Sequence, residues 1–226
     1  MQSNMVPGAR LCSALEYLTP GGRIIDVGTD HAYLPIYLVR CGLVSRALAT
    51  DINQGPINSA RANIAAVGLG DRIETMHTDG LQGTEAFAPD HILIFGMGGE
   101  MIVRILSAAP WIRNARIGLI LQPMSRAAVL RAWLNENGFA ITGESITFED
   151  KYYQTISARW CGKSTAYSET ELAVGKCNIQ ARPPLFEGFV RHEIGVLEKI
   201  MDGKSRAQNA DLSAEMRMKQ ELEKLL

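Results

Sequence analysis

Arg23-Ile24-Ile25-Asp26-Val27-Gly28-Thr29-Asp30-His31-Ala32-Tyr33-Leu34-Pro35 is the stretch that decides the fold. Its first half is short, apolar and β-branched, as in a strand covered on both faces. A tight glycine turn follows at Gly28, and then a helix begins. Such a unit brings backbone N–H groups and a positive helix end to the mouth of a parallel sheet, where a nucleotide-like ligand sits. Asp26 interrupts the strand one residue before Val27. A carboxylate there costs free energy unless it accepts hydrogen bonds, so it holds the turn or a ligand. The turn is not G-x-G-x-x-G. Asp30 and Tyr33 stand where the second and third glycines would be, which argues against a nicotinamide or flavin dinucleotide.

Outward from this stretch, strand and helix patterns alternate. Residues 8–18 read as a short amphipathic helix with Leu11, Leu15 and Leu18 on one face. After the turn a helix runs from Ala32 to Cys41, stopped by Gly42. Arg46–Ile52 is a second strand, and its Asp51 stands about 20 residues past the glycine turn, a spacing suited to the ribose hydroxyls of a cofactor. A helix over Asn53–Val67 has Asn53 as a candidate cap and Pro56 in its first turn. Arg72–His77 is a third strand, leaving through Thr78-Asp79-Gly80. Asp90–Phe95 is a fourth, running into Gly96-Met97-Gly98-Gly99 and a helix to Ala108. Ile117–Leu121 is a fifth, leaving through Gln122-Pro123-Met124 into a helix over Ser125–Asn137. Ile141–Phe148 and Tyr152–Trp160 read as an antiparallel hairpin. The pattern predicts an open, doubly wound α/β sheet with that hairpin at one end. Every polar or glycine-rich signal then lies at a strand's C-terminal end.

Past Trp160 the pattern changes, so the chain divides into residues 1–162 and 163–226. The second part reads as one short helix over 168–175, a break at Arg182-Pro183-Pro184, and two long helices, Phe186–Met201 and Ser205–Leu226, joined near Asp202-Gly203. Ile194, Leu197 and Ile200, with Leu212, Met216, Met218, Leu222 and Leu225, predict an antiparallel hairpin with an apolar seam. With 226 residues, 46% of them hydrophobic, the chain has a core to build, and its net charge of −1 leaves any nucleic-acid binding to a local patch. Cys12, Cys41, Cys161 and Cys177 form no C-x-x-C and read as thiols of a reducing compartment. His31, His77, His91 and His192 form no ligand pattern, so no metal is expected. No stretch is apolar enough to span a bilayer and no signal-peptide pattern is seen, so the expectation is a cytoplasmic protein.

Asp30 has two readings that do not exclude each other, a helix N-cap and a functional carboxylate. His31 is either a satisfied first-turn residue or part of the site. Asp79-Gly80 is either a simple turn or an acceptor for an adenine amino group. Gly96-Met97-Gly98-Gly99 either lets a helix pack closely or offers backbone to a ligand. Gln122-Pro123 is a similar, weaker signal at the next strand end.

The run Asp26 to Pro35, then Asp51 with Gly55-Pro56, then Gly96-Met97-Gly98-Gly99, then Leu119-Ile120-Leu121-Gln122-Pro123 resembles the TrmK family. These are bacterial tRNA methyltransferases that modify N1 of adenine 22 with S-adenosylmethionine. The resemblance runs from about Arg10 to Trp160 and continues more weakly into a tail like the family's C-terminal coiled-coil domain. It implies a class I methyltransferase fold with the seventh strand antiparallel. It also implies that Gly28, Thr29 and His31 line the methionine part of the cofactor. Asp51 and Ile52 would hold its ribose and flank its adenine, Asp79 and Gly80 would take the adenine edge, and Gly96 and Met97 would border the sulfonium. Asp30 would be the carboxylate important for activity. Met124 departs from the Asn that many relatives carry after Gln-Pro.

On the substrate side, Arg10, Gln122, Pro123, Arg126 and Lys151 are the candidate tRNA contacts, with Arg104, Arg131 and the basic residues of the tail as further phosphate partners. The expected protein is a monomer without a metal. Two alternatives stay open at this level: a SAM-dependent enzyme acting on another RNA or a small molecule, and a non-catalytic nucleotide-binding or interaction protein that docks through its helical hairpin. Replacing adenine 22 in a tRNA panel separates the first, and SAM binding without turnover marks the second.

Overall fold

A computed structural model describes residues 8–206 and 211–226 of the chain. The N-terminal segment is α1 (Ala9–Cys12) followed by a 3-10 turn over Ser13–Tyr17. Its Leu11, Leu15 and Leu18 pack onto the core, as the amphipathic spacing predicts. Then come β1 (Gly22–Val27), α2 (Tyr33–Arg40), β2 (Val44–Asp51), α3 (Gln54–Ala66), β3 (Ile73–His77), β4 (His91–Met97), α4 (Gly99–Ser107), β5 (Gly118–Pro123), α5 (Ala127–Glu136), β6 (Phe139–Phe148) and β7 (Tyr152–Trp160). The C-terminal part holds α6 (Glu169–Val174), α7 (Lys176–Ala181), α8 (Phe186–Ser205) and α9 (Ser213–Glu223).

The seven strands form one sheet in the order β3-β2-β1-β4-β5-β7-β6. β1 to β5 pair in parallel, whereas β7 runs antiparallel to both β5 and β6. This is the doubly wound, class I methyltransferase-like sheet expected from the sequence, with its seventh strand reversed. Two apolar layers cover it. One gathers Ile25, Val27, Ile92, Ile94, Ile102 and Leu130, and the other gathers Ile24, Leu38, Ala47, Ile64, Leu93 and Ile120. Neighbouring β1 residues Ile24 and Ile25 thus go to opposite layers, the two-residue period of a strand buried on both faces. Strand order reverses between β1 and β4. The carboxyl ends of those two strands form the crevice where such sheets take ligands.

The C-terminal helices share a third apolar cluster with the β6–β7 hairpin, in which Val174, Phe186, Phe189, Val190 and Leu222 pack with Ile146. Ion pairs Lys219–Glu198 and Lys204–Glu215 run α8 and α9 antiparallel. The seam keeps Ile194, Leu197, Met218 and Leu225, but Ile200 and Met216 are exposed.

The short helix expected over 168–175 is α6, closed by Gly175 at φ +92°; a further helix, α7, follows it where the sequence pattern predicts none. Two sequence expectations change here. The joint placed at Asp202-Gly203 lies inside α8, whose last turns are held by Arg206–Asp202 and by the pairing with Glu215. The second long helix therefore starts at Ser213, not Ser205, and residues 207–210 of that expectation lie outside the described residues.

Candidate active site

The site is built where β1, β2 and β4 end. Gly28 leaves β1 with φ +77°, and its N–H and that of Thr29 both donate to Thr50 O of β2, each at 2.8 Å. A Cβ on Gly28 would overlap Met97 Cε, so the bare backbone lets the two glycine turns meet. On the β4 side, pairing with β5 shifts register between Phe95 and Met97, and Gly96 forms this bulge at the rim. The second glycine run thereby splits into two jobs. Gly96 is exposed at the rim near Arg10 and the Met97 side chain reaches over Gly28, whereas a Cβ on Gly99 would overlap Arg126 O, so Gly99 serves the close packing of α4 on the loop before α5.

Asp26 is buried below the turn, and its carboxyl is pushed up to about 6. Burial is the main cause, the charge of Asp51 adds to it, and the Thr29 side chain opposes it. The Thr29 hydroxyl lies near this carboxyl but is itself buried without an aligned hydrogen bond. Asp51 at the end of β2 accepts from Asn53 N at 2.7 Å. Asn53 stands before α3 as expected, but its side chain makes no capping bond. Ile52 beside it is 54% exposed, a bare apolar face at the rim. After β3, Asp79 lies 3.5 Å from Arg104, and Gly80 O accepts from the Thr50 hydroxyl at 3.4 Å.

The turn after Gly28 departs from a simple helix start. His31 and Ala32 both adopt left-handed backbone, with φ +61° and +56°. Ala32, not Asp30, is the residue before α2, and no side chain caps that helix. The capping role weighed for Asp30 is thus excluded. Its side chain is exposed and pairs with His31 Nε2 at 3.1 Å. Asn63 of α3 donates to His31 O at 3.0 Å and pins the turn.

On the hairpin side, the sequence expectations need more correction. Gln122 is fully buried. Its Nε2 donates to Arg10 O at 2.9 Å and Thr155 Oγ1 at 3.1 Å, and its Oε1 accepts from Arg10 Nη1 at 3.2 Å. Gln122 therefore holds α1 onto β5 and β7 and presents no group to a substrate; Pro123 is buried beside it. Arg131 is likewise buried and not a phosphate ligand. It gives Nε to Glu144 at 2.6 Å, Nη1 to the carbonyls of Leu172 and Ala173, and Nη2 to Gln154. Arg10, Arg104, Arg126 and Lys151 do reach the surface. Arg10 and Lys151 both lie against the Tyr153 ring, at 5.5 and 5.4 Å, and the Arg10 guanidinium reaches to the rim at Gly96. The Gln122–Arg10 latch spans 112 residues of sequence and left no local signal.

Among the described residues, no group of three His, Cys, Asp or Glu side chains is placed to hold a metal ion. The crevice instead offers carboxylates at Asp26, Asp30, Asp51 and Asp79, a bare apolar face at Ile52, and glycine backbone between them. A family model described as tRNA (adenine(22)-N(1))-methyltransferase, TrmK, matches residues 24–225. The chain belongs to the TrmK family. It is 36% identical over 167 residues to the tRNA (adenine(22)-N(1))-methyltransferase of Bacillus subtilis, covering 74% of this chain and 70% of that protein. A Streptococcus pneumoniae structure in complex with S-adenosyl-L-methionine superposes with a TM-score of 0.84 at 31% identity, over 96% of this chain and 99% of that one. TrmK of M. capricolum, in complex with S-adenosyl-homocysteine, gives 0.79 at 28% identity over 97% and 96%. The TrmK match reaches from β1 to the end of the C-terminal helices, so it takes in the whole sheet and the tail together.

Proposed function

We propose that the crevice binds S-adenosylmethionine and that the protein transfers its methyl group to N1 of adenine 22 in tRNA. The observation that carries this reading is the β1–β4 switch point, where Gly28 and Gly96 bare the backbone beside a buried carboxyl and an unpartnered Thr29 hydroxyl. A cationic ligand fits that chemistry, because a positive group near Asp26 and Asp51 restores the charged form that burial disfavours. Gly28, Thr29 and the backbone of His31 take the methionine part, Asp51 the ribose, Ile52 one adenine face, Asp79 and Gly80 the adenine edge, and Gly96 with Met97 the sulfonium end.

Bound S-adenosylmethionine supplies an electrophilic methyl group, which the N1 lone pair of the adenine accepts as the sulfur takes the bonding pair. N1 is unprotonated at neutral pH, so no residue need act as a strong base. The chain's task is to orient the base and exclude water. The methylated adenine is cationic, and Asp30, exposed on the turn, stabilises that charge as it grows or accepts from the base's N6 amino group. N1 is hidden in a folded tRNA, so the base is turned out of its stack to reach the crevice. Arg10, Arg126 and Lys151 contact backbone phosphates around it, with Arg104 shared between Asp79 and phosphate.

Residues 1–162 form the cofactor-binding part and 163–226 a helical part in this reading. Its support is the separate apolar cluster of the helices and the turn at Gly162, φ +70°, just past β7. Among the described residues no helix is long and apolar enough to cross a membrane. The proposed setting is the cytoplasm, and the proposed working form a monomer. Transfer of labelled methyl from S-adenosylmethionine to unmodified tRNA, and its loss when adenine 22 is replaced by guanine, tests the assignment. Equal transfer to both tRNAs would move the target elsewhere.

A further inference from the structure

The turn Asp30-His31-Ala32-Tyr33 carries two costs that the fold itself does not explain. Two successive residues with side chains hold left-handed backbone, and two aromatic rings are left partly exposed. His31 and Tyr33 stack with ring centroids 5.2 Å apart and planes at 21°. The His31 side chain is 41% exposed and Tyr33 39%. Nothing caps α2, so the turn is not shaped for helix stability. It is nevertheless fixed from both sides, by Asn63 on His31 O and by the fully buried Ala32 beneath. The Asp30 carboxylate completes the group, 3.1 Å from His31 Nε2 and otherwise open to solvent.

We infer that the His31–Tyr33 ring pair is a stacking platform for the nucleobase that receives the methyl group. The inference rests on the proposed tRNA reaction and deepens it by naming the subsite for the acceptor. An aromatic face and a carboxylate at its edge are the two elements that recognise an adenine, the first by stacking and the second by accepting from the exocyclic amine. In the proposed reading the backbone of His31 takes the methionine part of the cofactor, and its ring and that of Tyr33 stack beside that backbone. A base laid on the pair is thus placed beside the transferable methyl group instead of on the ribose side at Asp51. The left-handed turn is what lifts the two rings off the sheet rim; a regular helix start would point residues 31 and 33 to different faces.

The test uses the full-length protein and tRNA with 2-aminopurine at position 22, whose fluorescence rises when the base leaves the helix and is quenched when it stacks again. Tyr33→Leu should bind this tRNA with a brighter signal than wild type. It should also lower single-turnover methylation of ordinary tRNA by tenfold to a hundredfold, about the range of a lost base–aromatic stack. Tyr33→Phe should restore both, because it keeps the ring. S-adenosylhomocysteine affinity by calorimetry should be the same in all three proteins. Unchanged methylation in Tyr33→Leu would overturn the platform, and so would a loss of S-adenosylhomocysteine affinity that explains the whole rate defect. If wild type methylates a nucleotide other than adenine 22, the proposed target fails alone, and the Tyr33→Leu deficit measured at that nucleotide still decides the platform.

Discussion

Asp30 and Asp26 sit four residues apart in one motif and are set up for opposite work. Asp30 is exposed, caps nothing and, among the described residues, pairs with His31, so removing its charge should leave the fold intact. Asp30→Asn should lower methyl transfer by about a hundredfold or more, the scale of a lost electrostatic contact in a transition state, with unfolding unchanged within about 0.5 kcal/mol. Asp26 is buried and titrates near 6, above its usual value of 3.8. The ionised form is the one that attracts a cationic ligand, so S-adenosylmethionine affinity should fall as pH drops below about 6, and Asp26→Asn should remove that dependence. The raised value also means that folding favours the protonated form. Stability present below pH 3.8 is lost as pH rises through about 6, a cost of order 3 kcal/mol at neutral pH. Asp26→Asn should therefore stabilise the ligand-free protein at pH 7.5 and change little at pH 4, as read by denaturant unfolding. The presence of both carboxylates in a site was legible from their place after a β-branched run. Which of them was spent on structure was not, because that turns on the left-handed backbone of His31 and Ala32, and neither residue type announces it.

Among the elements, the most consequential joint is Arg131 on α5 with Glu144 on β6, both fully buried. Each also ties down the next element: Arg131 takes two carbonyls of α6, and Glu144 Oε2 accepts from Cys177 N of α7. An ion pair taken wholly out of water is held only while every partner is present. Arg131→Met should destabilise by about 3–5 kcal/mol, because it strands Glu144, while Arg131→Met with Glu144→Leu should recover much of that loss. Thermal and denaturant unfolding of the three proteins read this directly. A cation on an amphipathic helix reads as a solvated residue, and its partner lies 13 positions away on another element, so sequence pattern assigned Arg131 to the surface. Gln122 misled for the same reason. Its position after β5 was legible, but its amide is used by Arg10 and Thr155, which only the folded sheet brings to it. The strands themselves were legible because burial on both faces demands unbroken apolar runs, and each ended within a few residues of its expected place.

At the scale of the whole molecule, a net charge of −1 means that RNA is gathered by a face and not by the average field. Arg10 on α1 and Lys151 in the β6–β7 turn flank the Tyr153 ring, and Arg126 stands at the start of α5, all on the strand-end side of the sheet. If each contacts one phosphate, reversing its charge should reduce the slope of log affinity against log salt by about 0.7–0.9, with S-adenosylhomocysteine binding unaffected. Reversal of Arg113, on the far side near Asn137, should leave the slope as it is. The central claim is that this crevice methylates N1 of adenine 22, and a methyl group on N1 blocks base pairing. Primer extension on unmodified tRNA, after incubation with the protein and S-adenosylmethionine, reads that position directly. A new stop at position 22 that requires both protein and cofactor is the predicted result. Full-length extension through that position, with label incorporated elsewhere in the tRNA or not at all, would contradict the account.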